Sequence, residues 1–92
     1  MMEVQELLQL LQQLSDGGEE ILLADGLEEA LIGVTETFEP TGTRYRALYS
    51  YAKCRRVFQD QGMTAESADE WMSFNVLGAY LGPGMPSFLI DG

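Results

Sequence analysis

Between Thr43 and Tyr51 the side chains alternate, with Tyr45, Ala47, Tyr49 and Tyr51 on one side and Arg44, Arg46, Leu48 and Ser50 on the other. Aromatic residues at period two fit a strand better than a helix, because they stand together on one face of a pleated surface. Pro40-Thr41-Gly42, just upstream, is a reverse-turn signal. Before it, Ala30 to Phe38 alternates loosely, with Ile32, Val34 and Glu36 opposed to Leu31, Gly33 and Thr35. Together these segments predict an antiparallel hairpin. Its turn end would bring Glu36 and Glu39 near Arg44 and Arg46 for cross-strand pairing.

The flanking segments read as helices. Val4, Leu7, Leu8, Leu11 and Leu14 recur at helical spacing, Leu10 widens the stripe, and Asp16-Gly17-Gly18 ends it. This leucine face reads as core, and its other use is the seam of a homodimer, although two heptads are marginal for a coiled coil. Ile21-Leu22-Leu23-Ala24, bounded by Glu19-Glu20 and Asp25-Gly26, predicts a short strand and a turn. Downstream of the hairpin, Ser50 caps a helix whose stripe includes Cys54, Val57 and Phe58 and which stops at Gly62. Thr64 caps the next helix, with Glu66 in its first turn and Ala68, Trp71, Met72, Asn75, Val76 and Ala79 on one face. Gly82-Pro83-Gly84 terminates that helix, and Ser87 to Ile90 predicts a last strand.

Ninety-two residues, 46% of them apolar, suit one domain with one core. The expected fold is α+β. A small antiparallel sheet of three or four strands packs against an N-terminal helix and a C-terminal αα-hairpin. The helix covers 1–15, the strands 20–51, the two helices 51–82 and the final strand 86–90.

Composition removes several chemistries. There is no histidine, which excludes Ser-His and Cys-His nucleophile systems and most zinc sites. The single cysteine, Cys54, permits no intrachain disulfide. Its neighbours Lys53, Arg55 and Arg56 would lower a thiol pKa, but a small buried hydrophobe is the commoner role. No apolar run approaches the ~18 residues of a membrane span. Met1 to Leu14 has no basic residue and carries Glu3 and Glu6, unlike a secretory signal. The expectation is a cytoplasmic protein that is not an enzyme and carries no cofactor.

The net charge of -10 is unevenly laid out. Ten acidic residues and no basic one lie between Met1 and Glu39. All five basic residues then fall between Arg44 and Arg56, and the tail is acidic again. Direct nucleic-acid binding is disfavoured, because phosphate affinity needs clustered Lys and Arg that outweigh acid repulsion. The expected partner is a protein with a basic surface. The candidate acidic patch comprises Glu19, Glu20, Glu28, Glu29, Glu66, Asp69 and Glu70.

Other constellations read as structural. The would-be recognition helix of a helix-turn-helix carries Glu66, Asp69 and Glu70 and no Lys or Arg, so it would enter a major groove against repulsion. Asp60 to Glu66 lacks the ligand order of a calcium loop. The paired acids Glu19-Glu20 and Glu28-Glu29 have no nucleophile beside them in sequence and read as a solvated face. Gly82-Pro83-Gly84 is followed by no Lys-Ser/Thr pair, so it is not a phosphate loop. Asn75 differs, since a polar side chain at the centre of an apolar stripe must find partners. It either ties the helix to a neighbouring element or lines a pocket with Trp71 and Tyr80.

The run Tyr49-Ser-Tyr51-x-Lys53-Cys54, then Gly62-Met63-Thr64-x-Glu66-x-Ala68, then Phe74-Asn75-Val76-Leu77-Gly78-Ala79-Tyr80-x-Gly82 and Pro86-x-Phe88, resembles small acidic hypothetical proteins of phages and prophages. Asp25 to Gly33 fits the same group. The resemblance covers about two thirds of the chain and implies a mobile-element origin, with no activity or functional residue to carry over. The expected function is therefore that of a phage-type interaction protein in the host cytoplasm. It would inhibit a host defence or nucleic-acid-processing protein through its acidic surface. The alternative is a small-ligand or regulatory module using the pocket of Trp71, Asn75 and Tyr80.

Overall fold

The computed structural model describes residues 2–16, 20–73, 82 and 84–91. In chain order these form helix α1 (Val4–Asp16), a 3-10 turn (Glu28–Ala30) and strands β1 (Leu31–Glu39) and β2 (Gly42–Ser50). Helices α2 (Tyr51–Asp60) and α3 (Ala65–Met72) and strand β3 (Ser87–Leu89) follow. The fold is α+β, as its pattern predicts, with helices at the N-terminus and in the C-terminal region.

β1 and β2 pair antiparallel through the turn after Glu39, and Ala47 and Tyr49 are buried on the face that α1 covers. The register slips by one residue between Leu31 and Gly33, so Ile32 is a bulge. A bulge reverses the alternation. Leu31 and Val34 therefore both join the core with Ala47 and Tyr49, although their numbers differ in parity. Simple alternation places Leu31 and Val34 on opposite faces, and the bulge is the physical reason they share one.

β3 lies beside β2 and runs parallel to it, so the sheet is mixed, with order β1-β2-β3. Parallel neighbours need a long crossover, which α2 and α3 supply. Ile21 to Ala24 is not a strand. Its backbone bonds go elsewhere: Ile21 N–H donates to Ser15 Oγ at 3.4 Å, Leu22 N–H to the Gly84 carbonyl at 3.0 Å, and Ala24 N–H to Tyr49 Oη at 2.9 Å. The apolar run closes one side of the core as an extended loop. Gly84 is required there, because a Cβ would collide with the Glu20 carbonyl.

Both downstream helices start where their caps predict. Ser50 Oγ accepts from Lys53 N–H at 3.2 Å and Thr64 Oγ1 accepts from Ser67 N–H at 3.1 Å. Each cap satisfies one backbone donor that the helix leaves unpaired. α2 ends in a Schellman motif around Gly62 (φ +106°), with Met63 N–H donating to the Phe58 carbonyl and Gly62 N–H to that of Gln59. Tyr51 belongs to α2 rather than to the strand.

The core unites Leu7 and Leu11 of α1, Leu27, Ala30 and Leu31, Ala47 and Tyr49 of β2, Tyr51, Cys54 and Phe58 of α2, and Ala68 and Met72 of α3. The Leu7–Leu11 stripe is thus occupied within the chain. Among the described residues no helix is long and apolar enough to cross a membrane.

Candidate interaction surface

The basic helix α2 packs against both α3 and the 3-10 turn, and each of these carries acids of the candidate patch. Acidic and basic segments therefore alternate in space as they do along the chain. Asp69, on the α3 flank, is turned toward α2. Its Oδ1 accepts from Tyr51 Oη at 2.9 Å and from an Arg55 guanidinium nitrogen at 3.3 Å. The guanidinium also lies 5.8 Å from the centre of the Tyr51 ring, a cation–π geometry. Burial, and then the carboxylate that accepts its proton, push the Tyr51 phenol above its ordinary pKa. Asp69 thus joins α2 to α3 and does not present a free charge.

The remaining described acids of the patch behave differently. Glu20, Glu28, Glu29, Glu66 and Glu70 are all exposed. Among the described residues Glu28 Oε1 accepts from Gly26 N–H alone, at 3.3 Å. The side chains of Glu20, Glu29, Glu66 and Glu70 have no hydrogen-bond or ion-pair partner among the described residues. Glu66 and Glu70 are one turn apart, so both project from one side of α3. Glu19 lies outside the described residues.

At the other end of the molecule Arg44 Nε donates to Glu39 Oε1 at 2.9 Å. This is the cross-strand pairing expected at the turn of the hairpin. The Arg44 hydrogen bond holds the Glu39 carboxyl below its ordinary pKa against an opposing effect of burial, and the positive charges of Arg44 and Arg46 add smaller shares in the same direction as the hydrogen bond. Glu36 stands opposite Tyr45.

The candidate pocket takes another form. Trp71 is 40% exposed, and its ring packs tilted on Phe58 with centroids 4.8 Å apart. It lies on the flank of α3, while Ala68 and Met72 hold the buried face. Asn75 and Tyr80 lie outside the described residues. A cleft of about 240 Å³ opens elsewhere, between the end of α1 and the hairpin turn, against Leu14, Ile21, Glu39, Arg44 and Tyr45. Neither Leu14 nor Ile21 carries a sequence signal for this role. They meet there because Ile21 and Ala24 are tied back to Ser15 of α1 and Tyr49 of the sheet.

Cys54 is fully buried, and desolvation, with a smaller effect of the Asp91 carboxylate, pushes its thiol up to about 11. Lys53, Arg55 and Arg56 do not activate it, because the thiol points into the core while Lys53 and Arg56 are exposed. Asp91 carries a structural role that no sequence signal announces. Its carboxylate accepts from Ser50 Oγ at 2.6 Å and from Ala52 N–H at 2.9 Å, at the start of α2. Among the described residues no three acids or cysteines are gathered as metal ligands.

No family model matches the chain, and neither does any curated protein or solved structure.

Proposed function

We propose that this chain is a non-enzymatic, protein-binding accessory protein of phage or mobile-element type. It inhibits a host defence or nucleic-acid-processing protein by presenting its acidic surface to a basic one. The observation that carries this reading is the unequal use of charge. Arg44 and Arg55 are engaged by Glu39 and Asp69, while Glu20, Glu29, Glu66 and Glu70 are exposed without an internal cation among the described residues. Such a surface repels itself and nucleic acid and is drawn to Lys- and Arg-rich protein, most strongly at low ionic strength. A surface that handles nucleic acid is basic because it must meet phosphate, and spaced carboxylates compete for the same cations.

The test is affinity capture from host lysate at low salt and at about 1 M salt, where the screening length falls to roughly 3 Å. The wild-type chain is compared with a variant carrying Glu28→Gln, Glu29→Gln, Glu66→Gln and Glu70→Gln. A basic protein recovered by wild type at low salt, and lost both in the variant and at high salt, is the expected result. Equal recovery by both chains at both salt concentrations would refute the acidic surface.

One observation favours a second reading as a small-ligand module. It is the cleft beside Leu14, Ile21 and Tyr45, which lies apart from the Trp71 site. A ligand there raises the melting temperature of wild type and not of Tyr45→Ala.

A further inference from the structure

We propose that Ser87–Asp91 is a detachable strap, locked by Asp91 onto the start of α2, whose release opens the outer edge of β2 while the rest of the domain stays folded. The strap is held in three ways. Ser87, Phe88 and Leu89 pair in parallel with Leu48, Tyr49 and Ser50. The Phe88 ring stacks on Tyr49 at 5.7 Å. The Asp91 carboxylate spans Ser50 Oγ and Ala52 N–H. Three residue pairs make a short ladder, so a large share of the hold falls on the carboxylate, whose hydrogen bonds are charge-assisted.

The moving piece has a defined boundary. Upstream, the Gly84 carbonyl accepts from Leu22 N–H and Pro86 is buried, so the root of the strap is pinned. Beyond it, Leu89 is 47% and Ile90 66% exposed. Among the described residues every fully buried apolar residue of the core lies between Leu7 and Met72, and the strap adds the partly buried Phe88. Opening therefore removes little from the core, as expected of a locally unfolding unit.

Two side-chain bonds next to the strap do not depend on it. Ser50, 1% exposed, still caps α2 through Lys53 N–H after Asp91 departs. Tyr49 Oη still accepts from Ala24 N–H. The Ala52 amide, in the half-buried first turn of α2, passes to water.

Hydrogen–deuterium exchange on the full chain tests this. In Asp91→Ala, exchange at residues 87–91 and at Ala52 rises roughly tenfold or more, the range expected for losing a charge-assisted bond, while α1 and α3 exchange as in wild type. Asp91→Asn, which keeps one acceptor, falls between the two. Ile90→Ser, a change at an exposed strap position outside the clip, leaves exchange unchanged. Unaltered strap exchange in Asp91→Ala would overturn the proposal. So would a uniform rise across all elements, or opening by Ile90→Ser equal to that by Asp91→Ala.

Discussion

The two ends of the β1–β2 hairpin are built from the same alternating pattern and have opposite fates. At the end near α2, Leu31, Ala47, Tyr49 and Ser50 are buried, with α1, α2 and β3 packed around them. At the turn end Phe38 is 80% exposed, and Glu36, Pro40, Thr41 and Thr43 are exposed with it. Phe38 and Thr43 share a register position just as Val34 and Ala47 do, on the same face of the same two strands. The difference is cover. Strand alternation states which side chains share a face, and only the reach of a helix decides which part of that face is withdrawn from water.

The strongest way to break this comparison is a truncation at the covered end. Tyr49→Ala removes a ring that is 1% exposed and takes with it the Phe88 stack and the acceptor of the Ala24 amide. A loss of about 3–5 kcal/mol in urea unfolding is expected, as for large aromatic deletions in cores. A loss below about 1 kcal/mol would show that this end is no better packed than the tip.

The ion pair at the tip sharpens the contrast through pH. The Glu39 carboxyl is held below its ordinary 4.5 by Arg44, so the unfolded chain binds a proton there more readily than the folded one. Its contribution is present above that ordinary value and is lost as pH falls through the depressed folded value. Wild type and Glu39→Gln should therefore differ in melting temperature at neutral pH and converge as pH is lowered through that range. A gap that persists in acid would assign the effect to shape rather than to charge.

The smallest effect belongs to Phe38. Replacing an 80% exposed phenyl by serine should change stability by no more than about 0.5 kcal/mol. A larger loss in thermal unfolding would mean that the tip is covered in solution, and the two ends would no longer differ in kind.

Charge divides in a similar way. Glu66, Asp69 and Glu70 are indistinguishable as acids on one short helix, and the three together were expected to form part of a patch. Asp69 instead faces α2 and binds Tyr51 and Arg55, while Glu66 and Glu70 face outward. Helical spacing is legible in sequence, but the angle at which α3 meets α2 is not. Two of the candidate pocket residues, Asn75 and Tyr80, lie outside the described residues. The third, Trp71, is engaged with Phe58.

The sequence by itself determined the features governed by neighbours in the chain. Period-two alternation and the turn at Pro40-Thr41-Gly42 specify the hairpin, and Ser50, Gly62 and Thr64 mark the ends of α2 and the start of α3. These depend on hydrogen bonds that span a few residues, so a local pattern encodes them fully. The tertiary structure alone decided where distant segments meet. Ile21 to Ala24 lies against the core as a loop because Tyr49 and Gly84 accept its amides. β3 runs parallel because two helices carry the chain back across the sheet. Asp91 reaches Ser50 and Ala52, 39 positions from the second of these. No short-range spacing records such a contact, since its energy depends on which surfaces the whole fold brings together.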